Sequence, residues 1–141
     1  MTVRAIISGK GGGVTSISPD ATVADAVTLL ATHRIGAVPV TDATGVVGIF
    51  SERDVIYGLN REGAAVLEKK VGEVMTSPAL TVDLDAPAIS ALSMMTRRRI
   101  RHLPVVDGGT MVGFVSIGDL VKHRIDKIES EAAALRDYIA S

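Results

Sequence analysis

Two short segments hold residues whose type and spacing could do chemistry. Ser51-Glu52-Arg53-Asp54 and Ser116-Ile117-Gly118-Asp119 each place a hydroxyl three residues before a carboxylate. At a helix start this spacing has a structural use. Ser at the N-cap and an acid at the third helical position satisfy each other's backbone N–H groups, and the acid complements the helix dipole. The same geometry has a chemical use. A carboxylate held beside the free N–H groups of a helix N-terminus can accept two hydrogen bonds from the 2′,3′-diol of a ribose. The residues alone leave both readings open.

A cationic run, Arg97-Arg98-Arg99-Ile100-Arg101-His102, is the next candidate. Arg97 and Arg98 read as a solvated helix end, where cations are favoured. Arg101 and His102 fit that reading less well, because they lead into the apolar strand around Pro104. The run Gly9-Lys10-Gly11-Gly12-Gly13 matches neither G-x-x-x-x-G-K-[ST] nor G-x-G-x-x-G, since no Lys-Ser/Thr follows and position 14 is Val. It reads as a flexible loop. Catalysis finds little support. The histidines are His33, His102 and His123, and no H-E-x-x-H or G-x-S-x-G occurs. His33 and His123 read as solvated helix residues. Cysteine is absent, which excludes disulfides, thiolate catalysis and thiolate metal sites. No metal-ligand spacing is present, so neither an enzyme nor a metal protein is expected.

The elements that must position these groups repeat. GVVGIFSERDV (45–55) aligns with TMVGFVSIGDL (110–120), and 116 − 51 and 119 − 54 both give 65. The same offset carries Pro39-Val40 onto Pro104-Val105 and Asp20-Ala21 onto Asp85-Ala86, without a gap from Val14 to Leu59. Two copies are too few for a solenoid. They read instead as a pseudo-twofold pair, each half burying the apolar face of the other.

Each copy reads as β-α-β-β-α. A short extended segment comes first, Ser16-Ile17-Ser18 or Leu80-Thr81-Val82. A helix follows, capped by Thr22 or Asp20 in the first copy, with Val23, Ala26, Val27, Leu30 and Ala31 at helical spacing. The second copy has Ala88, Ala91, Leu92 and Met95. Two strands then form a hairpin: Ala37 to Val40 with Val46 to Phe50, and His102 to Val106 with Met111 to Val115. A helix begins at Ser51 or Ser116. Asn60 to Gly72 reads as a linker, and Val71 to Met75 as a helical turn before Pro78.

IGAVPVTD and GVVGIFSERDV in the first copy, with VGEVMTSPALTV and IRHLPVVDGGTMVGFVSIGDL in the second, resemble CBS domains. The tandem pair resembles a Bateman module. The resemblance implies an α+β fold of two pseudo-twofold-related units, with regulatory clefts between the repeats that bind adenosine-containing ligands. It implies that Asp119 and Asp54 grip ribose and that Ser116 and Ser51 lie against ribose or phosphate. It also implies that Arg101 and His102 reach toward phosphates in the cleft of the second repeat, while their counterparts Gly36 and Ala37 leave the other cleft without a cation. Arg53 could compensate there. Lys10 and the glycines around it would border the cleft of the second repeat and close over a phosphate. Ser16, Thr76 and Thr81 complete the expected ligand contacts.

The chain has 141 residues, 47% hydrophobic content and a net charge of −1, enough for one compact body and without a demand for nucleic acid. The few aromatics, Phe50, Phe114, Tyr57 and Tyr138, offer no base-stacking platform. No apolar run approaches the roughly 20 residues needed to span a bilayer, and the N-terminal apolar run is too short for a signal peptide. The expected setting is the cytoplasm. Boundaries are expected at 1–65 for the first repeat, 66–125 for the second and 126–141 for a C-terminal helix. Val121, Ile125, Ile128, Ala132, Leu135 and Ile139 step by 4, 3, 4, 3, 4, a stripe that extends the last helix and would pack on a second copy of the chain. The expected function is a homodimeric regulatory module without an obligatory cofactor. It would bind AMP, ADP or ATP (AMP first) and act on a downstream protein. NAD(H) or S-adenosylmethionine in the same cleft is an alternative, and a structural dimer with empty clefts is another.

Overall fold

The computed structural model describes every residue except Gly11 and Gly12. Helix α1 (Val3–Lys10) is followed by α2 (Val23–His33), the hairpin β1 (Ala37–Asp42) and β2 (Gly45–Ser51), and α3 (Glu52–Glu62). A 3-10 helix (Gly63–Glu68) and α4 (Val71–Val74) lead to the second repeat: β3 (Val82–Asp83), α5 (Ala88–Arg98), β4 (His102–Asp107), β5 (Thr110–Ser116) and α6 (Ile117–Ala140). The fold is α+β, with two β-α-β-β-α units and a long last helix.

The two sheets are built alike. β1 pairs antiparallel with β2, Ala37 opposite Ser51. β4 pairs antiparallel with β5, His102 opposite Ser116. In the second unit Val82 of β3 adds a parallel edge beside Val105. In the first, the equivalent Ile17 makes a single parallel bridge to Val40. Both hairpins shift register at the same place, between Val40 and Thr41 and between Val105 and Val106.

The expectation that each half buries the other's apolar face needs correction. The buried residues form two clusters. One holds Val23, Ala26, Leu30, Val38, Val40, Phe50 and Val71. The other holds Val3, Ile6, Leu84, Ala91, Met95, Leu103, Val105, Val115 and Leu120. Each fully buried Val, Leu or Phe contributes about 1.5–3 kcal/mol, so each cluster stabilises the unit it lies in. What the units exchange is the segment preceding each repeat. Helix α1 packs into the second unit, where Val3 and Arg4 donate their N–H groups to the carbonyls of Ala86 and Leu84, both at 2.9 Å. Those carbonyls satisfy N–H groups that a helix start leaves unpaired. Helix α4 packs into the first unit in the same way, with Val71 and Gly72 donating to Ala21 and Pro19 at 2.8 and 2.9 Å.

Three further expectations are revised. The N-terminal segment is a helix up to Lys10, not a loop from Gly9 onward; the rest of the expected glycine loop at Gly11 and Gly12 lies outside the described residues. A helix of eight residues does not persist by propensity, and burial of Val3 and Ile6 supplies its stability. The expected linker is mostly ordered: Asn60 to Glu62 finish α3, and Val66 in the 3-10 helix is fully buried. Ala31, placed on the apolar face of α2 by its spacing, is exposed.

Candidate functional site

The Ser-x-x-Asp segments cap α3 and α6. At α6 the capping is reciprocal: Ser116 N–H donates to Asp119 Oδ2 at 2.8 Å, and Asp119 N–H donates to Ser116 Oγ at 3.1 Å. At α3 both the N–H and the hydroxyl of Ser51 donate to Asp54 Oδ2, at 2.9 and 3.2 Å. The capping role is therefore real at both sites. It leaves the second carboxylate oxygen for other work. Asp54 Oδ1 accepts from the Thr76 hydroxyl at 3.0 Å. Asp119 Oδ1 accepts no hydrogen bond among the described residues, while its Oδ2 also accepts from Lys10 Nζ at 2.8 Å. Lys10 Nζ donates to the Phe114 carbonyl at 2.8 Å as well.

Two clefts lie at these capping motifs: Asp119 lines one, whereas Asp54, expected to bind in the other, is not among its lining residues, and only its partners Ser51 and Thr76 are. The cleft at Asp119 and Ser116 has a volume of about 470 Å³ and is lined by Ile7, Lys10, Thr15, Ile35, His102 and Phe114, among others. The cleft at Ser51 has a volume of about 510 Å³ and is lined by Arg53, Tyr57, Thr76, Leu80, Ile100 and Arg101, among others. Gly36, Ala37 and His102 line both, so the clefts meet at a shared wall.

The geometry corrects the expected division of cations. Arg101 lines the Ser51 cleft, not the Asp119 cleft. The residues leading into each hairpin cross over: Arg34 and Ile35 of the first repeat line the Asp119 cleft, and Ile100 and Arg101 of the second line the Ser51 cleft. The pseudo-twofold packing sets these segments against the opposite unit, and an offset along the chain does not show that. The first-repeat cleft is thus not without a cation. Arg53 also lines it and donates to the Arg99 carbonyl at 3.4 Å. Lys10 does border the second-repeat cleft, as the end of α1. Ser16 and Thr81 are exposed and line neither cleft; their neighbours Thr15 and Leu80 do, because adjacent side chains of an extended segment point to opposite sides.

His102 stacks on Phe114, with ring centroids 5.4 Å apart and 13° between the planes. Its pKa is lowered, first by burial and then by Lys10 and Arg101, against the raising influence of Asp119 and Glu52. That lowering disfavours the expected proton on this imidazole at pH 6. Burial pushes the Asp119 carboxyl up, but hydrogen bonds from Lys10 and Ser116 outweigh it and hold the group below the usual carboxylate value. Asp119 is an anion at neutral pH, ready to accept. His123, expected to be solvated, is partly buried, and its Nε2 has no hydrogen-bond partner among the described residues. No cluster of three or more His, Asp or Glu side chains among the described residues is placed to hold a metal ion. No helix among them is long and apolar enough to cross a membrane.

Sequence reasoning missed Thr15, Arg34, Ile35, Glu52 and Phe114 as lining residues. Glu52 was within reach of it, standing next to Ser51 in the capping motif. Arg34 and Ile35 carried no signal of their own.

Comparison with known proteins places this arrangement. The family model described as the CBS domain matches residues 12–61 and again 71–126. A curated relative, the mitochondrial CBS domain-containing protein CBSX3 of Arabidopsis thaliana, is 33% identical over 98% of this chain and 71% of its own length. The crystal structure of a CBS-domain-containing protein from Agrobacterium tumefaciens is 39% identical, with a TM-score of 0.82 over 87% of this chain and 92% of that one. CBSX2 in complex with AMP is 27% identical, with a TM-score of 0.71 over 80% of this chain and 88% of that one. The CBS domain pair of protein MJ0100, in complex with 5′-methylthioadenosine and S-adenosyl-L-methionine, is 26% identical, with a TM-score of 0.77 over 90% and 98%.

Proposed function

The chain belongs to the CBS-domain family, as a tandem pair of repeats, and from that premise we propose that it is a regulatory module binding an adenine nucleotide in the clefts between its repeats. The observation that carries this reading is the Asp119 cleft. One carboxylate, fixed at a helix N-terminus, shares the cavity with the Lys10 ammonium and the His102 imidazole. That is an acceptor suited to a ribose diol beside donors suited to a phosphate. The ligands named for CBSX2 and MJ0100 all contain adenosine, which supports the same chemistry here.

AMP is the first ligand to expect, with ADP and ATP next. A second reading, S-adenosylmethionine, has one observation in its favour. Glu52 lines the Ser51 cleft and offers an anion to a cationic sulfonium or ammonium. NAD(H) belongs in the same screen. In this reading the clefts bind and release without a reaction. The ligand acts by favouring the arrangement of the two units to which it binds more tightly, and a partner protein reads that arrangement. The working unit is a homodimer, supported by the apolar side chains that α3 and α6 leave exposed, Ile56 and Tyr57 on one, Ile125 and Ile128 on the other. The setting is the cytoplasm.

Titration calorimetry with AMP on the wild type and on Asp119→Ala tests the reading. The substitution should weaken binding by about 1.5–3 kcal/mol, the range for a hydrogen bond to a charged group, or roughly ten- to a hundredfold. Loss of the cap costs about 1 kcal/mol of stability, so the comparison is made where both proteins are folded. The reading fails if AMP, ADP, ATP, NAD(H) and S-adenosylmethionine at millimolar concentration all leave the wild-type melting temperature unmoved, since a ligand of the folded state must raise it.

A further inference from the structure

The two clefts differ in what they offer a ribose. Asp119 lines its cleft, and its Oδ1 accepts no hydrogen bond among the described residues. Asp54 does not line the other cleft. Ser51 and Thr76 do, and they hold its Oδ2 and Oδ1. Thr76 is fixed in that place. Its N–H and carbonyl pair with those of Ile49 on β2, both at 2.9 Å, and a Cβ on Gly48 would lie 2.8 Å from its carbonyl oxygen. The offset of 65 sets Gly11 at the position of Thr76, a residue with no hydroxyl to offer Asp119. What the Ser51 cleft does offer is an apolar wall and charge. Ile49, Tyr57, Leu80 and Ile100 line it, together with Arg53, Arg101 and Glu52. None of those three charged side chains is in an ion pair among the described residues. Two guanidiniums against one carboxylate leave the cleft with an excess of positive charge.

We propose that the Ser51 cleft is a separate ligand site for a molecule without ribose, a monocarboxylate with an apolar body. The inference goes beyond the nucleotide reading, which it leaves to the Asp119 cleft. A ribose diol in the Ser51 cleft meets the Ser51 and Thr76 side chains and no lining Asp carboxylate, so a nucleotide lacks its anchor there. The guanidinium fork of Arg53 or Arg101 matches a carboxylate through two parallel hydrogen bonds. A phosphate monoester carries about −1.5 to −2 at neutral pH, and with Glu52 in the same cleft that is more negative charge than the two arginines balance. A carboxylate carries only one. The volume of about 510 Å³ is that of an ordinary small-molecule site, where apolar walls hold the body of a ligand and a few polar groups orient it. Ile49, Tyr57, Leu80 and Ile100 supply the wall, and the arginines supply the orientation.

Calorimetry on the full chain tests this with 4-phenylbutyrate and octanoate, their neutral amides, and AMP. Either acid should bind with one equivalent per chain, and should still do so when the chain is saturated with AMP. Arg101→Met keeps an apolar stem and deletes the charge. It should weaken both acids about three- to tenfold, less than the loss of a buried charged hydrogen bond, because Arg101 is exposed. The weaker binding of the amides should not change. Equal losses for acids and amides would make Arg101 a support of the wall and overturn the assignment of a carboxylate. Displacement of the acids by AMP or S-adenosylmethionine, or two AMP bound per chain, would give the Ser51 cleft to a nucleotide and overturn the proposal. Failure of both acids to bind at millimolar concentration overturns it whether or not AMP binds. Binding of the acids without binding of any adenosine-containing ligand overturns the nucleotide reading alone.

Discussion

Among the described residues His102 is the one titratable side chain that lines both clefts, and it faces Asp119, Lys10, Arg101 and Glu52. Burial holds its folded-state pKa below the ordinary imidazole value. A base with a depressed folded pKa binds fewer protons folded than unfolded, so stability rises with pH through that interval. The contribution of His102 is complete above the unfolded value near 6.5 and is lost as the pH falls through the lower folded value. Melting temperature followed against pH should show wild type losing stability below pH 6.5, with a smaller loss in His102→Gln. Identical curves for the two proteins would remove His102 from the account. Asp119 adds an acid loss in a separate, lower window, because its depressed pKa stabilises the fold above the usual carboxylate value and is titrated away below it. At this scale the sequence was legible where a capping motif fixes the side chain, as at Asp54 and Asp119. It was not legible for Lys10 and Asp119, which are 109 residues apart, nor for Arg101, whose cleft depends on how the units cross.

The 3-10 helix shows what element-level reasoning overlooked. Asn60 to Gly72 has little periodicity and reads as a linker, yet Val66 is fully buried and sits against Gly58 in the middle of α3. A Cβ on Gly58 would lie 2.6 Å from Val66 Cγ2. Gly58 is therefore there for close approach, at a position where glycine otherwise weakens a helix. Gly58→Val should destabilise the fold by about 1–3 kcal/mol through overpacking. Adding Val66→Ala should restore part of that loss, because the two sites share one contact. Urea denaturation of the two single variants and the double variant measures the coupling, and strictly additive losses would contradict the contact. A lone glycine in a helical pattern was the available signal, but its partner is a tertiary neighbour that no local rule supplies.

Helix α6 carries the question of assembly for the whole molecule. Its 24 residues extend about 36 Å at 1.5 Å per residue. Along it Val121, Ile125, Ile128, Leu135 and Ile139 are 42–73% exposed. The apolar stripe expected from the spacing is therefore present and is not buried on the chain's own body. In the homodimer proposed above, removing Glu131 to Ser141 should weaken self-association. Light scattering at several concentrations would show a dimer for the full chain and a dissociating or monomeric species for the truncated one. A monomeric full chain, or a dimer indifferent to the truncation, would rule out this use of the helix.

By itself the sequence determined the repeat, the β-α-β-β-α order of each unit, the hairpins and the two capped carboxylates. These depend on local rules: apolar period, turn residues and helix-start chemistry, each legible within about a dozen residues. The tertiary structure alone decided the exchange of α1 and α4 between the units and the crossing of Arg34 and Arg101 to opposite clefts. It also decided the shared wall at Gly36, Ala37 and His102 and the seating of Lys10 on Asp119. The physical reason is the same throughout. Which surfaces two similar units present to each other is settled by shape and by backbone groups that must find partners across the interface, such as the carbonyls of Leu84 and Ala86 that receive α1. Those partners are distant in the chain, and their pairing has no period to read.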